Sequence, residues 1–247
     1  MAMPVMKTDD EEEVHELSPL ELHYRDEIPR ILRMSDSDLE GALAALDDYL
    51  ERNPHDAFRN ALLTWKGRFY LEHERYEDAI RELRAADELP FSHELANFNT
   101  KFDLAQALDR GGKPEEAYAV LIKTLNEIKD PALLLDLLPA LAWFSSSLGH
   151  ALPARAHFAL SQGKQFYGID DEHKLLDVPA EIARVTDLKH EASVRYDQLY
   201  LAIRGAEGTA EKVRLAEAYI QDVRVPYFKE LAENLLRRVR QEAEAKS

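Results

Sequence analysis

The chain has no cysteine among its 247 residues. Disulfides, thiolate metal sites and cysteine nucleophiles are thereby excluded, and the composition fits a reducing compartment. Glycine is scarce, at 9 residues, and neither the dinucleotide glycine fingerprint nor the P-loop pattern occurs. Positive charge is also short: 31 Lys and Arg stand against 47 Asp and Glu, a net −16. A chain of that sign gains little from neutralising phosphates, which argues against nucleic acid and anionic membrane surfaces as partners. Long apolar runs are missing too. The most apolar stretch, Pro131 to Phe144, is interrupted by Asp136 and reads as too short to span a bilayer. Asp9, Asp10, Glu11, Glu12 and Glu13 are the opposite of a secretory n-region, so the expected location is cytoplasmic.

What the chain does have is 45% hydrophobic and 32% charged residues, with alanine, leucine, glutamate and arginine plentiful. These are good helix formers, and no segment shows the period-two alternation of a half-buried strand. Residues 1–17 read as an acidic, disordered tail. Ser18-Pro19 signals the start of a first helix running to Met34, with Pro29 inside it. Leu39, Leu43, Leu46 and Leu50 form one stripe on a helix from Asp38 to Arg52, closed by Asn53-Pro54. Further helices are expected over 56–73, 76–89, 92–110 with Ser92 as cap, 114–128, 130–149 and 152–165. Gly168 to Asp177 reads as a charged loop. Helices over 179–204, 209–223 and 226–245 follow.

A period runs through this series. Ala42, Ala79, Ala117 and Ala154 lie near the starts of alternate helices, at spacings of 37, 38 and 37. Four residues after each comes a bulky apolar residue: Leu46, Leu83, Leu121 and Phe158. Ala192 with Tyr196 is a candidate fifth pair. A small residue lets two helices approach, and the bulky one fills the space beside it. One such pair cannot bury its own apolar stripe, so neighbours must stack.

The clearest unit holds Gly67 and Tyr70, then Tyr76-Glu77-Asp78-Ala79-Ile80, Leu83, Ala86 and Pro90. The next has Leu104, Ala105, Leu108, Gly111-Gly112-Lys113-Pro114, Ala117 and Leu121. A third has Leu141, Ala142, Leu148-Gly149, Ala154 and Phe158. With these residues the chain resembles the tetratricopeptide repeat family over residues 38–166, in a divergent form. Each unit is longer than the family's 34 residues. Lys101 stands where the family has a large apolar residue, and Ser145 stands at the place of Tyr70 and Leu108. The resemblance implies an all-α, right-handed superhelical stack of antiparallel helix pairs over 18–166. Residues 167–247 would then form a C-terminal helical extension that caps the array.

In that family the first helices of each pair line a concave groove that holds a peptide. Carried over, this places Arg68, Phe102, Gln106, Arg110 and Trp143 toward the groove. Aromatics would supply buried area, and arginine would pair with a carboxylate. The competing account is that Phe102 and Trp143 pack in the core and the arginines are solvated. The family's carboxylate clamp for chaperone C-termini needs several Lys and Asn residues, which are largely missing here.

Other clusters carry less. His150 and His157 are two helical turns apart, roughly 10 Å, too far to ligate one ion. Asp170-Asp171-Glu172-His173 lacks the glycine turn and ligand spacing of a calcium loop. Ser145-Ser146-Ser147 has no glycine elbow, and Arg237, Arg238 and Arg240 complement a helix C-terminus. No catalytic set, metal or cofactor is expected. The sequence thus points to a non-enzymatic protein–protein interaction module, a scaffold, chaperone or regulatory adaptor. Two alternatives stay open: a helical-repeat sensor or enzyme acting on a small ligand, and a self-assembling homo-oligomer.

Overall fold

A computed structural model describes residues 19–35, 37–54, 58–169 and 177–245, with side chains from residue 27 onward. The expected acidic tail, the cap at Ser18, a helix start at Asp56 and the Asp170–His173 cluster lie outside the described residues. Among those described the fold is all-helical, with eleven helices and no strand. The chain divides into two compact units, Met1–Asp56 and Ala57–Ser247.

The first unit holds α1 (Pro19–Met34) and α2 (Leu39–Arg52). Asp38 caps α2 by accepting the Gly41 N–H at 2.9 Å. The α2 stripe is buried at Leu43, Leu46 and Leu50, together with Ala42 and Tyr49. Arg52 ties α2 to α1 through Glu27 at 2.8 Å.

The second unit runs α3 (Arg59–Glu72), α4 (Tyr76–Asp87), α5 (Glu94–Arg110), α6 (Pro114–Glu127), α7 (Pro131–Leu148) and α8 (Ala154–Tyr167). It continues through α9 (Val178–Gly205), α10 (Thr209–Asp222) and α11 (Pro226–Glu244). Consecutive helices from α3 to α11 pack on one another, and α3 also touches α5, α5 touches α7, and α7 touches α9. Asp130 caps α7, and Pro131 sits at its first position, where no N–H is needed. Ser92 does not cap α5. His93 does, its Nδ1 accepting the Ala96 N–H at 3.1 Å.

Four turns close in the same way, with a residue of positive φ just after the helix: Glu74 (φ 59°), Gly112 (76°), Gly149 (71°) and Gly168 (68°). In each, the next residue's N–H reaches back to a carbonyl five residues earlier, as in Arg75 to Tyr70 at 2.9 Å and Lys113 to Leu108 at 2.8 Å.

The small-and-bulky pairs pack as their spacing suggests at three places. Ala42 with Leu46, Ala79 with Leu83 and Ala117 with Leu121 are all buried. Gly67 explains why the small partner matters: a Cβ there would lie 2.4 Å from Leu83 Cγ. The fourth pair is corrected. Ala154 is exposed, and Phe158 is 56% exposed; Ala156, Ala159 and Leu160 are the buried residues of α8. The connection ending at Pro153 starts α8 only at Ala154, so the inward face falls two residues later. Gly163 then lies against Leu135 of α7, where a Cβ would be 2.9 Å from Leu135 Cβ.

The helix expected over 130–149 forms as α7, and its 18 residues meet the length and apolarity of a minimal membrane span, where the shorter stretch Pro131 to Phe144 had read as too short. Leu134, Leu135, Leu137, Leu138 and Leu141 are nonetheless buried within the fold. Ser145 is buried as well, with its Oγ 3.4 Å from the Tyr118 hydroxyl of α6.

Candidate functional site

The open face of α5 follows from helical spacing. Leu95, Phe102 and Gln106 lie seven and four residues apart and share one side. Lys101, Leu104 and Leu108 point the other way and are buried. Leu95 is 48% exposed, while Phe102 and Gln106 are half-buried. Phe102 stacks on Phe98 with ring centroids 5.5 Å apart. Gln106 makes no side-chain hydrogen bond among the described residues.

Arg68, Gln106 and Trp143 recur at intervals of 38 (106 − 68) and 37 (143 − 106), the interval of the buried alanines. They occupy equivalent turns of α3, α5 and α7. Trp143 is 55% exposed, touches Phe144 edge-on at 4.7 Å, and its indole N–H has no partner among the described residues. Trp143 is thus the open side chain of a helix that buries eight others, and Phe158 of α8 is open to the same degree, at 56%.

Arg68 is placed differently from the sequence expectation of a guanidinium awaiting a ligand. Its Nη2 and Nε donate to one Asp103 oxygen at 2.6 and 3.0 Å, and it lies over the Trp65 ring at 4.8 Å. One turn earlier, the Thr64 and Thr100 hydroxyls meet at 2.7 Å. α3 and α5 are therefore joined in register by a polar seam. Burial pushes the Asp103 carboxyl above its ordinary range, and Arg68 offsets that only in part.

Arg110, the last residue of α5, is exposed and shares an open cleft with Glu74 and Tyr76 at the α3–α4 turn. It has no ion-pair partner among the described residues. Arg68 and Arg110 thus serve different surroundings.

Sequence reasoning missed a second polar centre. Lys101 is 3% exposed, pairs with Glu127 of α6, lies 3.5 Å from Asp87 of α4, and sits 5.6 Å from the Phe91 ring centroid. Burial alone would raise the Glu127 carboxyl, yet Lys101 beside it holds it below its ordinary value. Opposite charges one repeat apart also link α4 to the start and body of α6. Glu77 meets Lys113 at 2.9 Å and Asp87 meets Lys123 at 3.4 Å, each pair 36 residues apart. Arg68 and Asp103 are 35 apart. A scan for opposite charges 35 or 36 residues apart, just under the alanine period, would have found all three.

Among the described residues, the hydroxyls of Ser145 and Tyr118 and the ring of His150 meet one another or Glu115. His150 stacks on the Tyr118 ring at 5.0 Å and its Nε2 lies 3.1 Å from Glu115, while Ser145 meets the Tyr118 hydroxyl. Among the described residues no group of three or more His, Asp or Glu side chains converges as a metal site would require. No protein-family model, curated protein or solved structure matches this chain.

Proposed function

We propose that the protein is a non-enzymatic interaction module that holds a polypeptide along the open faces of α3, α5 and α7. In this reading α3–α4, α5–α6 and α7–α8 are divergent tetratricopeptide-like hairpins, stacked as antiparallel pairs in a right-handed superhelix. The seam between α3 and α5, the periodic charge pairs and the Gly67–Leu83 interlock support that arrangement. The observation that carries the function is Trp143, more than half exposed in register with Gln106 and Arg68. Tryptophan is among the side chains enriched where interfaces concentrate their binding energy.

The contacts divide by chemistry. Leu95, Phe102 and Trp143 would cover apolar side chains of the partner, and Gln106 and the Trp143 N–H would meet its backbone. Arg68, already held by Asp103, fixes the groove floor instead of binding the partner's carboxylate. Arg110 remains the cation free to do so. Affinity capture from cytoplasmic extract, with the intact chain beside Trp143→Ala, tests this. A polypeptide retained by the first and lost by a still-folded second supports the proposal. Equal retention, or none by either, contradicts it.

A further inference from the structure

A cavity of about 360 Å³ lies between α9 and the three-residue connection from α10 to α11, in the range of small-molecule pockets. It shares no residue with the open faces of α3, α5 and α7. One rim is fixed: Arg195 of α9 pairs with Asp222 at the end of α10, at 2.5 Å, and lies over the Tyr219 ring at 5.8 Å. Those two charges satisfy each other. Two further lining charges are not closed in this way. Glu191 on α9 reaches Arg195 only at 3.9 Å, and Arg224 on the connection has no ion-pair or hydrogen-bond partner among the described side chains. Leu188 and Val223 add aliphatic surface to the same cavity.

We propose that this cavity binds a small zwitterion of the α-amino-acid class with a branched aliphatic side chain. Its carboxylate sits on Arg224, its ammonium on Glu191, and its side chain against Leu188 and Val223. Complementarity sets the class. With Arg195 and Asp222 paired to each other, an anion alone would gain Arg224 but meet Glu191, and a cation alone would gain Glu191 but meet Arg224. A ligand carrying both charges uses both walls and is repelled by neither. Guanidinium–carboxylate pairing favours the stated polarity, since a planar fork fits a carboxylate in two parallel hydrogen bonds.

The test is calorimetric titration of the full chain with L-leucine, 4-methylpentanoate and 3-methylbutylamine, the last two each lacking one charge. Arg224 and Glu191 are both exposed, so Arg224→Ala and Glu191→Gln should fold, which circular dichroism checks. The expected result is saturable leucine binding, weakened about tenfold or more by either substitution, with both single-charge analogues weaker still. Three results overturn the proposal: no leucine binding up to roughly 10 mM, unchanged affinity in both variants, or an analogue binding as tightly as leucine.

Discussion

Arg68 of α3 and Asp103 of α5 form an ion pair at 2.6 Å across two helices that are 35 residues apart in sequence. The pair is largely buried, with Asp103 the more enclosed partner. Removing Arg68 leaves a desolvated carboxylate without compensation, which costs more than the pair itself is worth. Arg68→Ala should destabilise the chain by about 1–3 kcal/mol at neutral pH, read from urea unfolding. The pH dependence has a definite sign. The Asp103 carboxyl is raised in the fold, so the folded state binds its proton more readily than the unfolded state. Its contribution is greatest below its ordinary pKa and declines as pH rises through the raised value. Arg68→Ala should steepen that decline, and Asp103→Asn should abolish it.

Gly67 is predicted to be intolerant of a methyl group. Alanine normally stabilises a helix over glycine by about 0.5–1 kcal/mol. Here the added Cβ would meet Leu83 at 2.4 Å, and overpacking costs about 1–3 kcal/mol. Gly67→Ala should therefore lower stability, measured by thermal unfolding. In a Leu83→Ala background the same change should be close to neutral or stabilising.

Glu74 holds a left-handed turn conformation, φ 59°, where three equivalent turns use glycine. Glu74→Gly should raise stability by up to about 1 kcal/mol, because the left-handed cost exceeds the added freedom of the unfolded chain. A lower melting temperature would show that the glutamate side chain contributes something its neighbours do not reveal.

Glu181 joins α8 to α9 by accepting from Arg184 at 2.9 Å and Lys164 at 2.8 Å. The Arg184 hydrogen bond and the nearby Lys164 charge overcome burial and bring its carboxyl down to about 2. Since the folded value lies below the ordinary one, this contribution is complete above about pH 4.5 and is lost as pH falls toward 2. Glu181→Gln should flatten acid unfolding in that window, followed by circular dichroism.

Much of the helical layout was legible because its punctuation is chemical. Asp130-Pro131, Lys113-Pro114, Gly149 and Gly168 each supply a cap or stop whose physics is local. Faces were harder. Ala154 and Phe158 kept the alanine period but not the inward face, since the point where α8 begins after Pro153 is a tertiary outcome. Lys101 looked like a defect in the repeat and is a buried cation, because its compensation, Glu127, lies 26 residues away in another helix. Arg68 looked like a ligand-facing charge for the same reason: its carboxylate, Asp103, lies 35 residues away on α5.

Replacing Trp143 with the photoreactive p-benzoylphenylalanine, in the intact chain in an extract of its native cells, reads out what the open face of α7 touches. Trp143 is half exposed, so the substitution should leave folding unchanged. Light-dependent coupling to a distinct polypeptide is expected, absent when the same group replaces exposed Glu230 on α11. Coupling at both positions alike, or at neither, would contradict a polypeptide site on the open face of α7.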